Sequence, residues 1–231
     1  MDSRYYNKYA VAAVRGALKR AGKQEMLRAE LMEKELDALA EKECDEILEK
    51  AEVSGVKLYH FKATHSDMPR VKKVLGFLRG TYFESLLDVG SGRGVFLIPF
   101  MESFPYASVT SLDILDKRIE MLEDIRNGGA SLLSTCKADV CAQPFPDRSF
   151  DVVTMLEVLE HIPDTCAAIR SAVKMARKYV VVTVPSKEDD NPEHIHLLTK
   201  SKLTEYFEEA GVTKLSFDGV PGHLFMIARV D

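Results

Sequence analysis

The residues with the chemistry to do something specific fall into two groups. The first runs from Ser85 to Gly94, Ser-Leu-Leu-Asp-Val-Gly-Ser-Gly-Arg-Gly. Leu86, Leu87 and Val89 read as a short strand buried on both faces, and glycines at 90, 92 and 94 then break the pattern at alternate positions. Glycine tolerates positive φ and carries no Cβ, so the backbone can turn sharply here and meet a polar ligand with its amides. Asp113 follows nineteen positions after Gly94. A carboxylate at that distance, closing the next strand, is placed to accept hydrogen bonds from both hydroxyls of a ribose. The second group is Glu157, Glu160 and His161 in Met155-Leu-Glu-Val-Leu-Glu-His-Ile-Pro, with His194 and His196 in Asn191-Pro-Glu-His-Ile-His-Leu-Leu-Thr. Such side chains can move protons or bind a cation.

The elements that must hold these groups alternate. Hydrophobic periodicity predicts strand 85–90, helix 93–103, strand 107–113, helix 115–127, strand 131–138, strand 150–156, helix 163–177, strand 178–184, helix 200–210 and two closing strands, 213–218 and 223–230. Strand and helix in alternation imply a mostly parallel sheet covered on both faces, with ligands at the carboxyl ends of its strands. Ahead of it, Met68 to Arg79 reads as a helix and residues 54–67 as an ordered connection containing His60 and His65. From Asp2 to Val53 two helices are expected, the second long and amphipathic through Leu27, Leu31, Leu36, Leu39, Ile47 and Leu48. It could cover the main domain, act as a lid, or pair with a second copy.

Composition bounds the class. At 46% hydrophobic and 29% charged residues the 231-residue chain is expected to be an ordinary globular protein, with no segment apolar enough to span a bilayer and no signal-peptide core. A cytoplasmic location is expected, and Cys44, Cys136, Cys141 and Cys166, with no Cys-x-x-Cys pair, are expected to stay reduced. The net charge of −5 argues against a general nucleic-acid surface, but it is uneven. Seven Lys or Arg against two acids lie between Met1 and Arg28, and six against Asp67 alone between Lys57 and Arg79; ten acids and three lysines separate the two runs. Such bias could serve an anionic substrate, or RNA through the basic N-terminal segments.

A dinucleotide fingerprint would need glycine at position 95, where Val95 stands. That makes a nicotinamide oxidoreductase a poor match. Leu-Leu-Asp-Val-Gly-Ser-Gly-Arg-Gly instead resembles the first motif of the class I S-adenosylmethionine-dependent methyltransferases. Three further words agree: Asp113 after the second strand, Lys137-Ala-Asp-Val-Cys after the third, and Pro144-Phe-Pro-Asp-Arg-Ser-Phe-Asp leading into the fourth. The resemblance implies an α/β fold with a doubly wound, mostly parallel seven-stranded Rossmann-like sheet, its methyltransferase domain at 68–231 behind a helical extension at 1–67. It further implies that Asp88, Gly90, Ser91, Gly92, Gly94, Asp113, Ile114, Asp139, Val140 and Leu156 hold S-adenosyl-L-methionine. Asp151 is expected to be structural, and Met175-Ala-Arg-Lys-Tyr departs from the family's Leu-Lys-Pro-Gly-Gly turn.

For Glu157, Glu160 and His161 two readings remain. In many small-molecule methyltransferases the segment borders the sulfonium, which makes His161 and Glu157 catalytic candidates and leaves Glu160, His194 and His196 facing the acceptor. The Glu-x-x-Glu-His spacing with a later histidine also resembles the RNA 3′-terminal ribose 2′-O-methyltransferases, in which Glu157, Glu160, His161 and His194 would bind Mg²⁺ or Mn²⁺. The leading expectation is a small-molecule methyltransferase acting on oxygen or nitrogen, with the RNA enzyme as one alternative. A catalytically silent scaffold, dimerising through its N-terminal helices, is the other. The acidic loop Pro185 to Leu198, with Lys187, Glu188, Asp189 and Asp190, is expected beside the acceptor.

Overall fold

A computed structural model describes residues 8–188 and 190–231. Seven strands form one sheet: β1 (Ser85–Val89), β2 (Ser108–Asp113), β3 (Leu133–Lys137), β4 (Phe150–Leu156), β5 (Ala176–Pro185), β6 (Lys214–Val220) and β7 (His223–Arg229), in the order β3-β2-β1-β4-β5-β7-β6. The first five are parallel; β7 runs antiparallel between β5 and β6. Parallel pairs need crossovers, supplied by helices, whereas β6 and β7 need only the turn Pro221-Gly222, where Gly222 takes φ +81°. This is the doubly wound architecture that the alternating pattern implied, with the closing hairpin.

Period-two alternation sends neighbouring side chains to opposite faces. Leu86, Val109, Val152 and Val181 join one hydrophobic cluster, while Leu87, Leu112, Val153, Val180 and Val182 join the other. The second cluster is closed by α8 (Thr165–Met175) and α9 (Lys200–Glu209) through Ile169, Leu203 and Phe207. The first takes Val71, Val74 and Leu78 from α5 (Pro69–Arg79) and a broad contribution from the N-terminal residues, including Val11, Val14, Leu31 and Ile47. No helix among the described residues is long and apolar enough to cross a membrane.

The N-terminal segment differs from the long amphipathic helix expected of it. After α1 (Lys8–Arg20) come only short pieces: α2 (Ala29–Glu33), α3 (Glu41–Leu48) and α4 (Ala51–Ser54), with single 3-10 turns at Gln24–Met26 and Leu36–Ala38. The backbone goes extended at Leu27, Lys34 and Leu39. Buried Arg15 explains one break: its Nη1 donates to the carbonyl of Lys34, 2.7 Å away, closing α2 where the next turn would have started. The Glu43 carboxylate accepts the Ala40 amide at 2.7 Å and starts α3 afresh. α2 then drops Leu31 into the core, the Leu36–Ala38 turn Leu36, and α3 Ile47 and Leu48. Leu27, Leu31, Leu36, Ile47 and Leu48 are all buried within the chain, so they offer no face to a second copy.

Much of the described part of the basic N-terminal run is also engaged in folding contacts. Lys8 pairs with Asp37, Arg20 with Asp124 and Glu120, and Arg28 with Glu30 and Glu46. Residues 1–7 of that run lie outside the described residues, as does Asp189 of the acidic loop. Asp151 has the structural role expected: it accepts the Glu84 amide at 2.8 Å and Arg177 Nε at 3.0 Å. Burial would raise its carboxyl, yet those donors and the nearby cations hold it below its ordinary value. Arg177 belongs to the segment that departs from the family's turn, where α8 ends at Met175 and β5 begins directly at Ala176.

Candidate functional site

The glycine turn sits at the carboxyl ends of β1 and β2. Gly90, Gly92 and Gly94 take φ +65°, +56° and +76°. A Cβ at Gly90 would lie 2.6 Å from Val158 Cγ2, and one at Gly94 would lie 2.9 Å from Ile98 Cδ1, so these two are held by packing. At Gly92 the nearest atom to such a Cβ is the Gly90 carbonyl oxygen at 3.8 Å, an ordinary van der Waals contact, so there φ and not crowding calls for glycine. The turn is tied down by its own bonds: Gly90 N to Leu112 O at 2.7 Å, Gly94 N to Ser91 O at 2.8 Å and Ser91 Oγ to Asp88 O at 3.0 Å. The helix expected from 93 starts only at Leu97, as α6 (Leu97–Ser103), because the left-handed Gly94 still belongs to the turn.

Asp113 joins turn to sheet. Its Oδ2 accepts the Gly92 amide at 3.1 Å and its Oδ1 accepts the Leu115 amide at 3.0 Å. Each oxygen keeps a second acceptor position. Beside it Ile114 and Leu115 are 61% and 55% exposed, an unusual expense of apolar surface at a strand end. They precede α7 (Asp116–Asn127), whose first residue is an acid that complements the helix dipole. Across the same edge, Asp139 is exposed and accepts the Cys141 amide at 2.9 Å, capping a 3-10 turn that buries Val140. Leu156 closes β4, half-buried.

Asp88 lies beneath the turn, 2% exposed, and accepts the Thr154 hydroxyl at 2.7 Å. Burial pushes its carboxyl up from 3.8 to about 6, against the opposing hydrogen bonds of Thr154 and Ser91. The folded chain therefore binds this proton more tightly than the unfolded chain does. Its effect on stability is nil below about pH 4 and becomes a loss of about 3 kcal/mol as pH rises through 6. Asp88→Asn is expected to abolish that loss. Urea unfolding without ligand at pH 4 and pH 7 should show the variant gaining on the native chain by about this amount at the higher pH.

The second group is only partly assembled as its spacing suggested. Donor atoms of Glu160, His161 and His194 lie within 4.8 Å of one another, with the two imidazoles edge to face at a 4.8 Å centroid separation. His161 Nδ1 is 2.9 Å from the carbonyl of Glu193, so Nδ1 carries the hydrogen and Nε2 is left as the acceptor. The loop is held there by Ile195 N to Glu160 O at 2.9 Å. His196 does not join the group; its Nε2 is buried without a hydrogen-bond partner among the described residues.

Glu157 does not join it either. It takes φ +59°, a conformation rare for a residue with a side chain, and three contacts hold it. Its amide donates to Thr183 O at 2.9 Å, its Oε1 accepts Thr183 Oγ1 at 2.8 Å, and its Oε2 lies 2.9 Å from His223 Nε2. His223 and Thr183 are the residues that sequence reasoning missed. Thr183 carried a faint signal as the hydroxyl in Val-Val-Val-Thr-Val, whereas nothing local marks His223.

A profile described as a methyltransferase domain matches residues 28–216. The ubiquinone biosynthesis O-methyltransferase of Neisseria meningitidis is 28% identical over 147 residues, 62% of this chain and 61% of that protein. Its counterpart in Vibrio cholerae is 33% identical over 51% of this chain and 48% of its own. The 27-O-demethylrifamycin SV methyltransferase of Amycolatopsis mediterranei is 31% identical over 59% of this chain and 57% of its own. The chain thus spans about half to six-tenths of the length of these relatives. Among solved structures, a SAM-dependent methyltransferase from Aquifex aeolicus matches with a TM-score of 0.60 at 18% identity, covering 74% of this chain and 94% of that one. An O-methyltransferase family protein from Burkholderia thailandensis gives 0.60 at 14% identity, covering 92% and 68%. At these identities the structural likeness establishes the fold, and the profile, covering most of the chain, establishes the lineage: the chain belongs to the class I S-adenosylmethionine-dependent methyltransferases.

Proposed function

We propose that this chain transfers a methyl group from S-adenosylmethionine to an oxygen of a small-molecule acceptor. The observation that carries the reading is the double acceptance by Asp113 of the Gly92 and Leu115 amides, which sets a bare backbone turn beside a largely buried carboxylate with acceptor positions to spare. The donor set fits a nucleoside. Asp113 has acceptor capacity left for two ribose hydroxyls, exposed Ile114 offers an apolar face for an adenine at the edge backed by buried Val140, and Asp139 offers a carboxylate to its amino group. Asp88 and Ser91 support the turn from below, and Leu156 borders the reacting centre. The choice of oxygen rests on the O-methyltransferase relatives.

When bound, S-adenosylmethionine supplies an electrophilic methyl on a good leaving group. The protein's work is to align a nucleophile, exclude water and take a proton. His161 suits the proton, because Glu193 fixes its hydrogen on Nδ1 and leaves Nε2 as a base. Glu157, held at β4's end by Thr183 and His223, orients the acceptor. Calorimetry with S-adenosylmethionine and S-adenosylhomocysteine is the test; saturable one-site binding is expected, and no heat with either would overturn the reading.

His223 is expected to act as a positioning residue. Its Nδ1 faces the carbonyl of Pro221 at 3.0 Å and its Nε2 faces Glu157, so it spends both nitrogens on orientation. With a phenolic acceptor, His223→Ala should lower kcat about tenfold at nearly constant KM, and His223→Gln, which keeps an N–H donor, should recover most of the rate. A fall in KM and kcat together, or no rescue, would contradict this.

A second reading is favoured by the proximity of Glu160, His161 and His194, a carboxylate and two imidazoles that suit Mn²⁺ better than Mg²⁺. It predicts activity lost in EDTA, restored by Mn²⁺, and lost in His194→Ala. An unchanged rate in the chelator removes it.

A further inference from the structure

The sheet ends on one side at β6, and the bonding pattern fixes which groups of that strand face outward. Ser186 N donates to Gly222 O at 3.1 Å and Val230 N to Lys178 O at 2.9 Å, so even-numbered residues along β7 bond to β5 and odd-numbered ones to β6. In the register Lys214↔Arg229, Ser216↔Ile227, Asp218↔Phe225 and Val220↔His223, the even-numbered residues of β6 are then the ones bonded to β7. Leu215, Phe217 and Gly219 turn their amides and carbonyls to the free edge. Two of these amides are held within the chain, Gly219 N by Asp218 Oδ1 at 2.7 Å and Leu215 N by Thr213 O at 3.1 Å. The Phe217 amide and the Leu215 and Phe217 carbonyls have no such partner among the described residues.

Side chains alternate along this edge. Lys214, Ser216 and Asp218 are exposed on one face, and half-buried Leu215 and Phe217 lie on the other. A free edge of this kind accepts a further strand, and the order of its charges decides which strand fits. When β6 meets a second β6 antiparallel about a two-fold axis at Ser216, Lys214 stands opposite Asp218 of the partner subunit and Leu215 opposite the partner subunit's Phe217, each contact occurring twice. Moving the axis to Phe217 sets Lys214 against the partner subunit's Val220, and moving it to Leu215 sets Asp218 against the partner subunit's Val212. Both charges are anchored where the pairing needs them: Lys73 holds Asp218 from the α5 side, and Lys214 Nζ donates to Asp231 O at 2.8 Å.

We propose that β6 is a homodimer interface, in which two copies of this chain pair their free edges antiparallel about Ser216 and join their sheets into one. Phe217 N donates to the partner subunit's Leu215 carbonyl, and Leu215 N exchanges Thr213 O for the partner subunit's Phe217 carbonyl. Each copy then braces the β6–β7 hairpin of the other, the element that brings His223 to Glu157. The interface stands on these residues whether or not the methyltransferase reading holds.

Sedimentation velocity on the full chain across a dilution series tests it. The native chain is expected to pass from monomer to dimer through the micromolar range. Lys214→Glu sets like charges opposite one another at both contacts, as does Asp218→Lys, and each should weaken the dimer about 30-fold. Mixed in equal amounts, the two variants again oppose unlike charges at both contacts, so the dimer should return as a pair of unlike chains. Asp218→Lys also removes the partner of Lys73, and recovery on mixing shows that both variants are folded. Ser216→Cys reads the register without touching a charge. The central pair of this ladder has Cα atoms about 4.5 Å apart, so oxidised glutathione should link two copies through a disulfide. The native chain, with its four free cysteines, should stay unlinked. A native chain that remains monomeric, a dimer that both charge variants leave intact, or Ser216→Cys chains that stay unlinked would each overturn the proposal.

Discussion

Asp113→Ala is expected to weaken S-adenosylmethionine and S-adenosylhomocysteine about 100-fold. The carboxylate does two jobs in this account. It holds the Gly92 amide at 3.1 Å and the Leu115 amide at 3.0 Å, which fixes the turn before any ligand arrives. It then has acceptor capacity left for two ribose hydroxyls. A hydrogen bond to a charged group contributes about 1.5–3 kcal/mol, and losing two at the ligand gives the 100-fold figure even after discount for water entering the gap. Asp113→Asn separates the two jobs. It keeps one acceptor oxygen but points an amide N–H₂ at a backbone N–H, so an intermediate loss of about tenfold is expected. Unchanged affinity in Asp113→Ala would mean that the nucleoside does not lie along this edge.

The second large effect concerns stability. Gly16 of α1 and Gly128, just past the end of α7, let the two segments meet backbone to backbone. A Cβ at Gly16 would stand 1.8 Å from the Asp124 carbonyl oxygen, and one at Gly128 would stand 1.8 Å from the Ala12 carbonyl oxygen. Neither obstacle is a side chain that could rotate away. Arg20 locks the contact with Nε to Asp124 Oδ1 at 2.9 Å and Nη2 to Oδ2 at 2.8 Å. Gly16→Ala must therefore push α1 off α7 and loosen Val11, Val14 and Leu18. The expected cost is about 3 kcal/mol, against a helix-propensity gain of about 1. For a chain of this size the net loss should lower Tm by roughly 4–8 °C. Gly76→Ala is the control: it lies within the helix Pro69–Arg79 with no atom within 4 Å of an added Cβ, so its Tm should hold or rise. Equal Tm values for Gly16→Ala and the native chain would contradict the close approach.

What the sequence made legible was local. The strand of Leu86, Leu87 and Val89 running into alternate glycines is a continuous word, and Asp113 follows at a distance fixed by one helix and one strand. The alternation of elements implied the sheet because each parallel pair requires its crossover. The N-terminal misreading has a physical cause as well. Leucines at 27, 31, 36 and 39 are near enough to helical spacing to suggest one rod, but the break at Lys34 depends on Arg15, nineteen residues earlier, reaching its carbonyl. Glu157 illustrates the same limit. Its spacing grouped it with Glu160 and His161, whereas φ +59° and the pull of Thr183 and His223 turn it away. Pairing of Glu157 with a residue on the last strand is a property of the fold and leaves no mark on the sequence around either one.

The central claim is that the nucleoside lies across the Gly90 to Gly94 turn with its sugar on Asp113. A crystal structure of the chain with S-adenosylhomocysteine tests it most directly. The account predicts both ribose hydroxyls within hydrogen-bond distance of the Asp113 carboxylate, with the adenine against Ile114. Density for the ligand elsewhere, with this turn unoccupied, would contradict it.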